Sequence, residues 1–255
     1  MLDRHVSSFI RVTAYDTQLK GFKHMEQIFE GILRFQKDVY PQRKGLFEKL
    51  ANGQEPQALF ITCSDSRVDP SLITQADPGE LFICRNAGNI VPPHTSHTGG
   101  MTASIEFAVA ALQVQHIVVC GHTDCGAMKG AMNPKGLEDT LPHVCEWLSY
   151  ARAAVKVVDE LHSHSDKDVQ LRRLTEQNVL LQLQHLRTHP TVAAALASGR
   201  VALHGWVYDI ETGDVLAYDD DRGSFEALNQ QEVDVAVQKI EAAHQKRKQG
   251  AGGKS

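Results

Sequence analysis

Ala58-Leu59-Phe60-Ile61-Thr62, Leu81 to Cys84, Ile117 to Cys120 and Val201 to Val207 are short apolar runs of strand length. Such runs suit strands covered on both faces, as in a parallel sheet with helices packed against each side. Between them apolar residues recur at helical spacing: Ile105, Ala108, Val109 and Leu112, then Leu141, Val144, Leu148, Ala151, Val155 and Val158, then Val179, Leu180, Leu183 and Leu186 before Pro190. Alternating strands and helices with no Gly-Pro-Ser linker predict one α/β domain with a mainly parallel central sheet. Ahead of the first run, Met25, Ile28, Phe29, Ile32, Leu33 and Val39 predict a helical arm that Pro41 interrupts, and Lys44 to Leu50 a shorter helix closed by Asn52-Gly53. Glu211-Thr212-Gly213-Asp214 followed by Val215 to Tyr218 reads as a hairpin strand.

Charge and cysteine usage narrow the function classes. The 255 residues carry 26 Lys and Arg against 31 Asp and Glu, a formal charge of -5 that argues against a nucleic-acid partner. No stretch reaches the roughly 18 to 20 apolar residues a membrane span needs, and Met1-Leu2-Asp3-Arg4-His5 lacks the apolar core of a secretory signal, so a soluble protein is expected. The five cysteines, Cys63, Cys84, Cys120, Cys125 and Cys145, are scattered in a way unlike a disulfide framework, which reads as a reducing, cytoplasmic setting. Residues 1–24 read as a flexible extension. Residues 229–255 read as a helical to disordered polar tail, ending in the Gly-rich stretch from Lys246 to Ser255.

Two motifs follow the carboxyl ends of two predicted strands, where open α/β sheets place their ligand sites. Cys63-Ser64-Asp65-Ser66-Arg67 comes after the first run and Gly121-His122-Thr123-Asp124-Cys125-Gly126 after the third. Together they offer two thiolates and an imidazole, the donors zinc favours, with H-x-x-C spacing that lets one tight turn aim both side chains at a point. Alone, a cysteine at a strand end reads as a small buried hydrophobe; two donor-rich turns at two strand ends read as a metal site. Three protein donors leave a fourth position open, the pattern of a catalytic zinc rather than a structural one. A carboxylate at Asp65 would fill that position, and Arg67 offers it a rival partner. Cys84, Cys120 and Cys145 lie inside apolar runs and read as core residues. The chain has no H-x-E with P-C-x-x-C, which discards zinc deaminases, and no G-x-S-x-G, which discards a serine hydrolase.

The C-S-D-S-R and G-H-x-x-C-G motifs, with Pro78-Gly79-Glu80-Leu81-Phe82, Arg85-Asn86-Ala87-Gly88-Asn89 and Leu203-His204-Gly205-Trp206-Val207-Tyr208, resemble the β-class carbonic anhydrases, in particular their bacterial and plant-type branch. The resemblance spans residues 25–228 and implies that they form the catalytic domain. It implies one Zn2+ per chain held by Cys63, His122 and Cys125, with Asp65 and Arg67 as a gating pair and Asp65 as fourth ligand in a closed state. Gln54 matches the glutamine that hydrogen-bonds substrate and Phe82 an apolar wall of the CO₂ pocket. The implied reaction is reversible hydration of CO₂ to bicarbonate and a proton, by attack of zinc-bound hydroxide on CO₂ in a homodimer or higher homo-oligomer whose sites draw on both chains.

Allosteric members of that family close the site when bicarbonate fills a pocket built with a Trp, an Arg and a Tyr. The matching positions here are Phe60, Arg85 and Phe107, so no bicarbonate inhibition through that pocket is expected. Plant members use a Tyr and a His in proton transfer where this chain has Phe107 and Ala111. His94 and His97 are the candidates for that role, because imidazole titrates near working pH; solvated loop histidines are the plainer reading. His162, His164, His185 and His189 are expected at the surface.

Overall fold

The computed structural model describes residues 22–96, 99–235 and 237–238. His97, residues 1–21 of the expected extension and the polar tail beyond residue 238 lie outside the described residues. Internal contacts divide the chain after Gly53 into a helical N-terminal unit and a sheet unit from Gln54 onward.

The N-terminal unit contains α1 (Phe22–Arg34), a π-helical turn (Phe35–Val39), α2 (Tyr40–Gln42) and α3 (Lys44–Leu50). Pro41 does not interrupt the helix. The π turn ahead of it shifts the hydrogen-bond ladder by one residue, so that the Tyr40 N–H reaches the Phe35 carbonyl, and Pro41 occupies the first turn of α2, where it has no donor to lose. Phe35, Tyr40 and Phe47 close this corner, with Tyr40 and Phe47 stacked at 5.2 Å and Phe35 edge-on to both. Met25, Ile28, Phe29, Ile32 and Leu33 leave an exposed apolar stripe along α1.

The sheet unit runs β1 (Ala58–Cys63), α4 (Pro70–Thr74), β2 (Leu81–Asn86), α5 (Gly100–Glu106), a π turn (Phe107–Ala111), β3 (His116–His122), α6 (Gly126–Met132), α7 (Leu137–Thr140), α8 (Pro142–Leu148), a 3₁₀ turn (Ser149–Ala151), α9 (Arg152–His162), α10 (Lys167–Thr188), α11 (Pro190–Ala197), β4 (Ala202–Tyr208), β5 (Val215–Asp219) and β6 (Ser224–Ala227). Its six strands lie in the order β2-β1-β3-β4-β5-β6. The first four are parallel, while β5 and β6 continue the sheet antiparallel. After β2 the chain crosses over β1 to start β3, so the carboxyl ends of β1 and β3 flank a topological switch point, the place where such sheets hold ligands.

One sheet face packs Leu59, Ile61, Ile117, Val119 and Val207 against helices, including Val109, Val179, Leu186 and Val192. α10 lies close to the strands because Gly121 and Gly205 have no Cβ: one at Gly121 would stand 3.0 Å from Val179 Cγ2, and one at Gly205 3.0 Å from Leu183 Cδ1. The other face carries a smaller cluster, Phe60, Val118 and Cys120 with Leu81, Trp206 and Tyr208 beside it.

The predicted strands are present, but two differ in burial. β2 is the sheet edge and alternates, with Ile83 38% exposed, and β4 is half-buried along much of its length. The hairpin is joined by β6, whose single large apolar residue, Phe225, gives too short a pattern to mark a strand in sequence. Cys120 is buried, and burial pushes its thiol up to about 12. Cys84 and Cys145 are half-buried rather than core. His189 is buried and His185 half-buried, contrary to the surface expectation, and burial lowers the pKa of both. Their rings face backbone carbonyls instead of solvent.

Candidate metal centre

Cys63 is the last residue of β1 and His122 the last of β3, one on each side of the switch point. After His122 the chain reverses within one turn. Asp124 takes a left-handed backbone, φ 58°, which delivers Cys125 in extended conformation to cap α6. All three side chains are buried, and their donor atoms lie within 4.8 Å of one another. The two sulfurs are 3.9 Å apart. Two thiolates on a tetrahedral zinc at ~2.3 Å would be separated by about 3.8 Å, so the pair is already spaced for one ion.

The histidine is set up in the same way. Its Nδ1–H donates to the Thr123 carbonyl at 2.8 Å, which fixes the tautomer and leaves the Nε2 lone pair free. That Nε2 is buried with no hydrogen-bond partner, an arrangement that costs free energy unless a cation completes it. The sulfurs agree: the hydrogen bond they share draws the Cys63 pKa well down, while that bond, burial and the Cys63 charge push Cys125 far up. One thiolate forms readily and the second is opposed until a positive ion arrives. Zinc fits this donor set.

Asp65 and Arg67 sit beside it. Arg67 donates to Asp65 Oδ1 through its backbone N–H and Nε, both at 3.0 Å, and to Oδ2 through Nη2 at 2.8 Å. The guanidinium hydrogen bonds hold the Asp65 carboxyl well below the usual carboxylate range. Asp65 Oδ2 also stands 3.9 Å from His122 Nε2, so the carboxylate faces the metal position while Arg67 grips it.

Two partners in this arrangement escape sequence reasoning. Asp124 accepts from Arg67 Nη1 at 3.0 Å and from Lys129, so Arg67 bridges two carboxylates. Arg85 donates to the Cys63 carbonyl at 3.0 Å and the Asp65 carbonyl at 2.6 Å, bracing the segment that carries both. Asp124 lies inside a quoted motif; its engagement with a residue 57 positions away has no local signal.

Gln54 and Phe82 are not brought to these donors. Gln54 is exposed and precedes the amino end of β1, whereas Cys63 closes its carboxyl end, five residues or about 17 Å along the strand. Phe82 pairs with Leu59 in register, four residues before Asn86, the partner of Cys63, and its ring lies 6.0 Å from that of Phe107. His94 is exposed, its ring 5.7 Å from His189.

The carbonic anhydrase family model matches residues 58–215. A curated carbonic anhydrase of Pseudomonas aeruginosa is 55% identical over 195 residues, 76% of this chain and 88% of the relative. The chain belongs to the β-class carbonic anhydrases. The solved β-carbonic anhydrase CcaA superposes with a TM-score of 0.79 at 44% identity, over 80% of this chain and all of that one. A β-carbonic anhydrase from Sordaria macrospora, described with its companion as tetrameric, gives 0.67 at 32% identity over 80% of this chain and all of its own. The family reaction is the zinc-dependent, reversible hydration of CO₂ to bicarbonate and a proton, and the Cys63, His122 and Cys125 group gives this β-carbonic anhydrase a place for the ion. Among the described residues no helix is long and apolar enough to cross a membrane.

Proposed function

We propose that Cys63, His122 and Cys125 hold the zinc, that Asp65 and Arg67 keep its fourth position open to water, and that CO₂ is hydrated there. The observation that carries this reading is the buried, partnerless Nε2 of His122 beside two sulfurs at zinc spacing. Zinc, when bound, makes a water acidic enough to supply a nucleophile near neutral pH.

The protein's own groups do the rest. The Thr123 carbonyl holds the His122 ring in the tautomer that presents Nε2. Arg67 keeps Asp65 ionised and turned, with Oδ1 taken twice and Oδ2 once, so Oδ2 retains a lone pair toward the metal position. That oxygen is an acceptor for a proton and has nothing to donate. The gate discriminates between states of the attacking oxygen: one that still carries a hydrogen is accepted and aligned.

Gln54 and Phe82 serve the substrate, and their place at the amino ends of β1 and β2 supports a pocket completed by a second copy, with Gln54 and Phe82 of one chain facing the metal centre of another. A homodimer or larger homo-oligomer follows, in line with the tetrameric Sordaria relatives. Residues 25–228 make up the catalytic domain. A reducing, cytoplasmic setting suits two thiols 3.9 Å apart, which oxidation would join and remove from the metal.

Stopped-flow CO₂ hydration, read beside zinc content, tests the assignment. Cys63→Ser should lose zinc and nearly all turnover, and Asp65→Asn should keep zinc and lose turnover by about 10²-fold or more. Wild-type rates in either variant would overturn it.

A further inference from the structure

The geometry points to Trp147 and Asn178 as positioning residues of the metal centre, clamping the two peptides on either side of Gly88 so that the Gly88 N–H is aimed at Cys63 Sγ. This rests on Cys63 being a zinc ligand.

Gly88 N–H donates to the Cys63 sulfur at 3.4 Å. The carbonyl of that same peptide unit, Ala87 O, accepts from the indole N–H of Trp147 at 2.9 Å, and the carbonyl of the next unit, Gly88 O, accepts from Asn178 Nδ2 at 3.0 Å. Both planes meeting at the Gly88 Cα are therefore held from outside, by α8 on one side and α10 on the other. Gly88 itself has φ +80°, so the fixed pose lies where other residues are strained.

The clamp continues as an oriented chain. Asn178 Oδ1 accepts from Gln182 Nε2 at 2.8 Å, and Gln182 Oε1 accepts the Val91 N–H at 2.9 Å. His185 Nδ1 faces only acceptors, the Val91 carbonyl at 2.7 Å and Gln182 Oε1 at 3.1 Å, so it carries the proton. His189 Nε2 meets the Pro92 carbonyl at 3.0 Å, and Thr188 Oγ1 receives the His94 N–H at 2.8 Å. His189 caps the carboxyl end of α10, and Asn178, Gln182 and His185 recur along one side of it. Asn178 and Gln182 are fully buried there, where an apolar stripe would be the ordinary choice. Together these side chains pair with the Gly88 carbonyl, both peptide groups of Val91 and the Pro92 carbonyl, so this stripe is a template for a loop rather than a core face.

A hydrogen bond to a metal-bound thiolate withdraws electron density from the sulfur, and outer groups of this kind alter metal affinity or activity by about 10–100-fold. Trp147→Phe removes one clamp while keeping an aromatic ring in the half-buried site. Asn178→Asp is isosteric and sets a carboxylate against the Gly88 carbonyl. Both are made in the full-length protein and loaded with zinc or cobalt(II). For each variant we expect one metal per chain, a displaced thiolate-to-cobalt charge-transfer band, zinc release to a chromogenic chelator about tenfold faster, and reduced kcat with KM within about twofold. A lower Tm with an unmoved band and unchanged release would overturn the proposal, leaving the residues merely structural. If Asn178→Asp does not fold, Trp147→Phe decides by the same readouts. Cys63→Ser separates the two levels: retention of the full two-thiolate band there would refute the ligand assignment itself, whatever the clamp variants do.

Discussion

Replacing Gly88 by alanine should disturb the fold and the metal centre together. At φ +80° a side chain costs roughly 1–2 kcal/mol. The new Cβ would stand 2.9 Å from Met128 Cε and 3.1 Å from Ala127 Cβ. The methionine methyl can swing away, but the alanine Cβ is fixed to α6, so the turn or the helix must shift by a few tenths of an ångström, an overpacking cost of about 1–3 kcal/mol. The sum is roughly 2–5 kcal/mol. The shift also draws the Gly88 N–H from Cys63 and presses on the helix that Cys125 begins. Urea unfolding of chelator-stripped protein measures the first effect, and zinc release from the loaded enzyme the second. Gly100→Ala is the control: nothing lies within 4 Å of its Cβ, and it sits at the start of α5, so stability should change by no more than about 0.5 kcal/mol. A Gly88→Ala protein as stable as Gly100→Ala, with zinc held as tightly as in wild type, would refute the reasoning.

His204 stands 3.0 Å from His116, and burial, with the neighbouring imidazole, lowers it to about 4. Its neutral form is favoured in the fold while the unfolded chain protonates near 6.5, so stability present above that pH is lost as pH falls toward 4, by roughly 2–3 kcal/mol. Urea midpoints of metal-free protein between pH 7.5 and 4.5 should fall more steeply for wild type than for His204→Gln; equal slopes would contradict this. Bicarbonate should not inactivate the enzyme cooperatively: Phe60 is buried edge-on to Trp206 and Phe107 carries no hydroxyl, so two of the three polar groups of the allosteric members' second pocket are missing. Sigmoidal inactivation would overturn that. Two thiolates donate more charge to zinc than imidazoles do, so turnover should rise on the alkaline side of neutrality, and a profile flat down to about pH 6 would count against it.

The candidate metal donors are legible in sequence because Cys63 and His122 stand close past the ends of predicted strands and H-x-x-C carries Cys125 one turn on, and Asp65 with Arg67 because two residues of separation suffice for a bidentate pair. What surrounds them is not. Asp124 reaches Arg67 only after β1 and β3 lie side by side, and Arg85 reaches the Cys63 and Asp65 carbonyls only from the neighbouring β2. On α10 the periodicity of Val179, Leu183 and Leu186 marks a buried face correctly, yet His185 reads as a surface residue and Asn178 and Gln182 carry no signal of burial, because a local pattern cannot tell water from a peptide backbone as the polar partner. The half-open state of β2 likewise follows from its place at the edge, which strand order decides and composition does not.

The placement of Cys63 and His122 on adjacent strands has a bearing on how the protein is made. The two are 59 residues apart in the chain, and β2 forms between them in sequence but lies on the far side of β1. A ribosome delivers the first cysteine well before the histidine and the second cysteine, and the three converge only when β3 has docked alongside β1, a contact of high sequence separation that closes slowly. Ion capture is thus a late latch on the docking of β3 rather than a seed for the sheet, and each molecule that holds zinc has already paired β1 with β3.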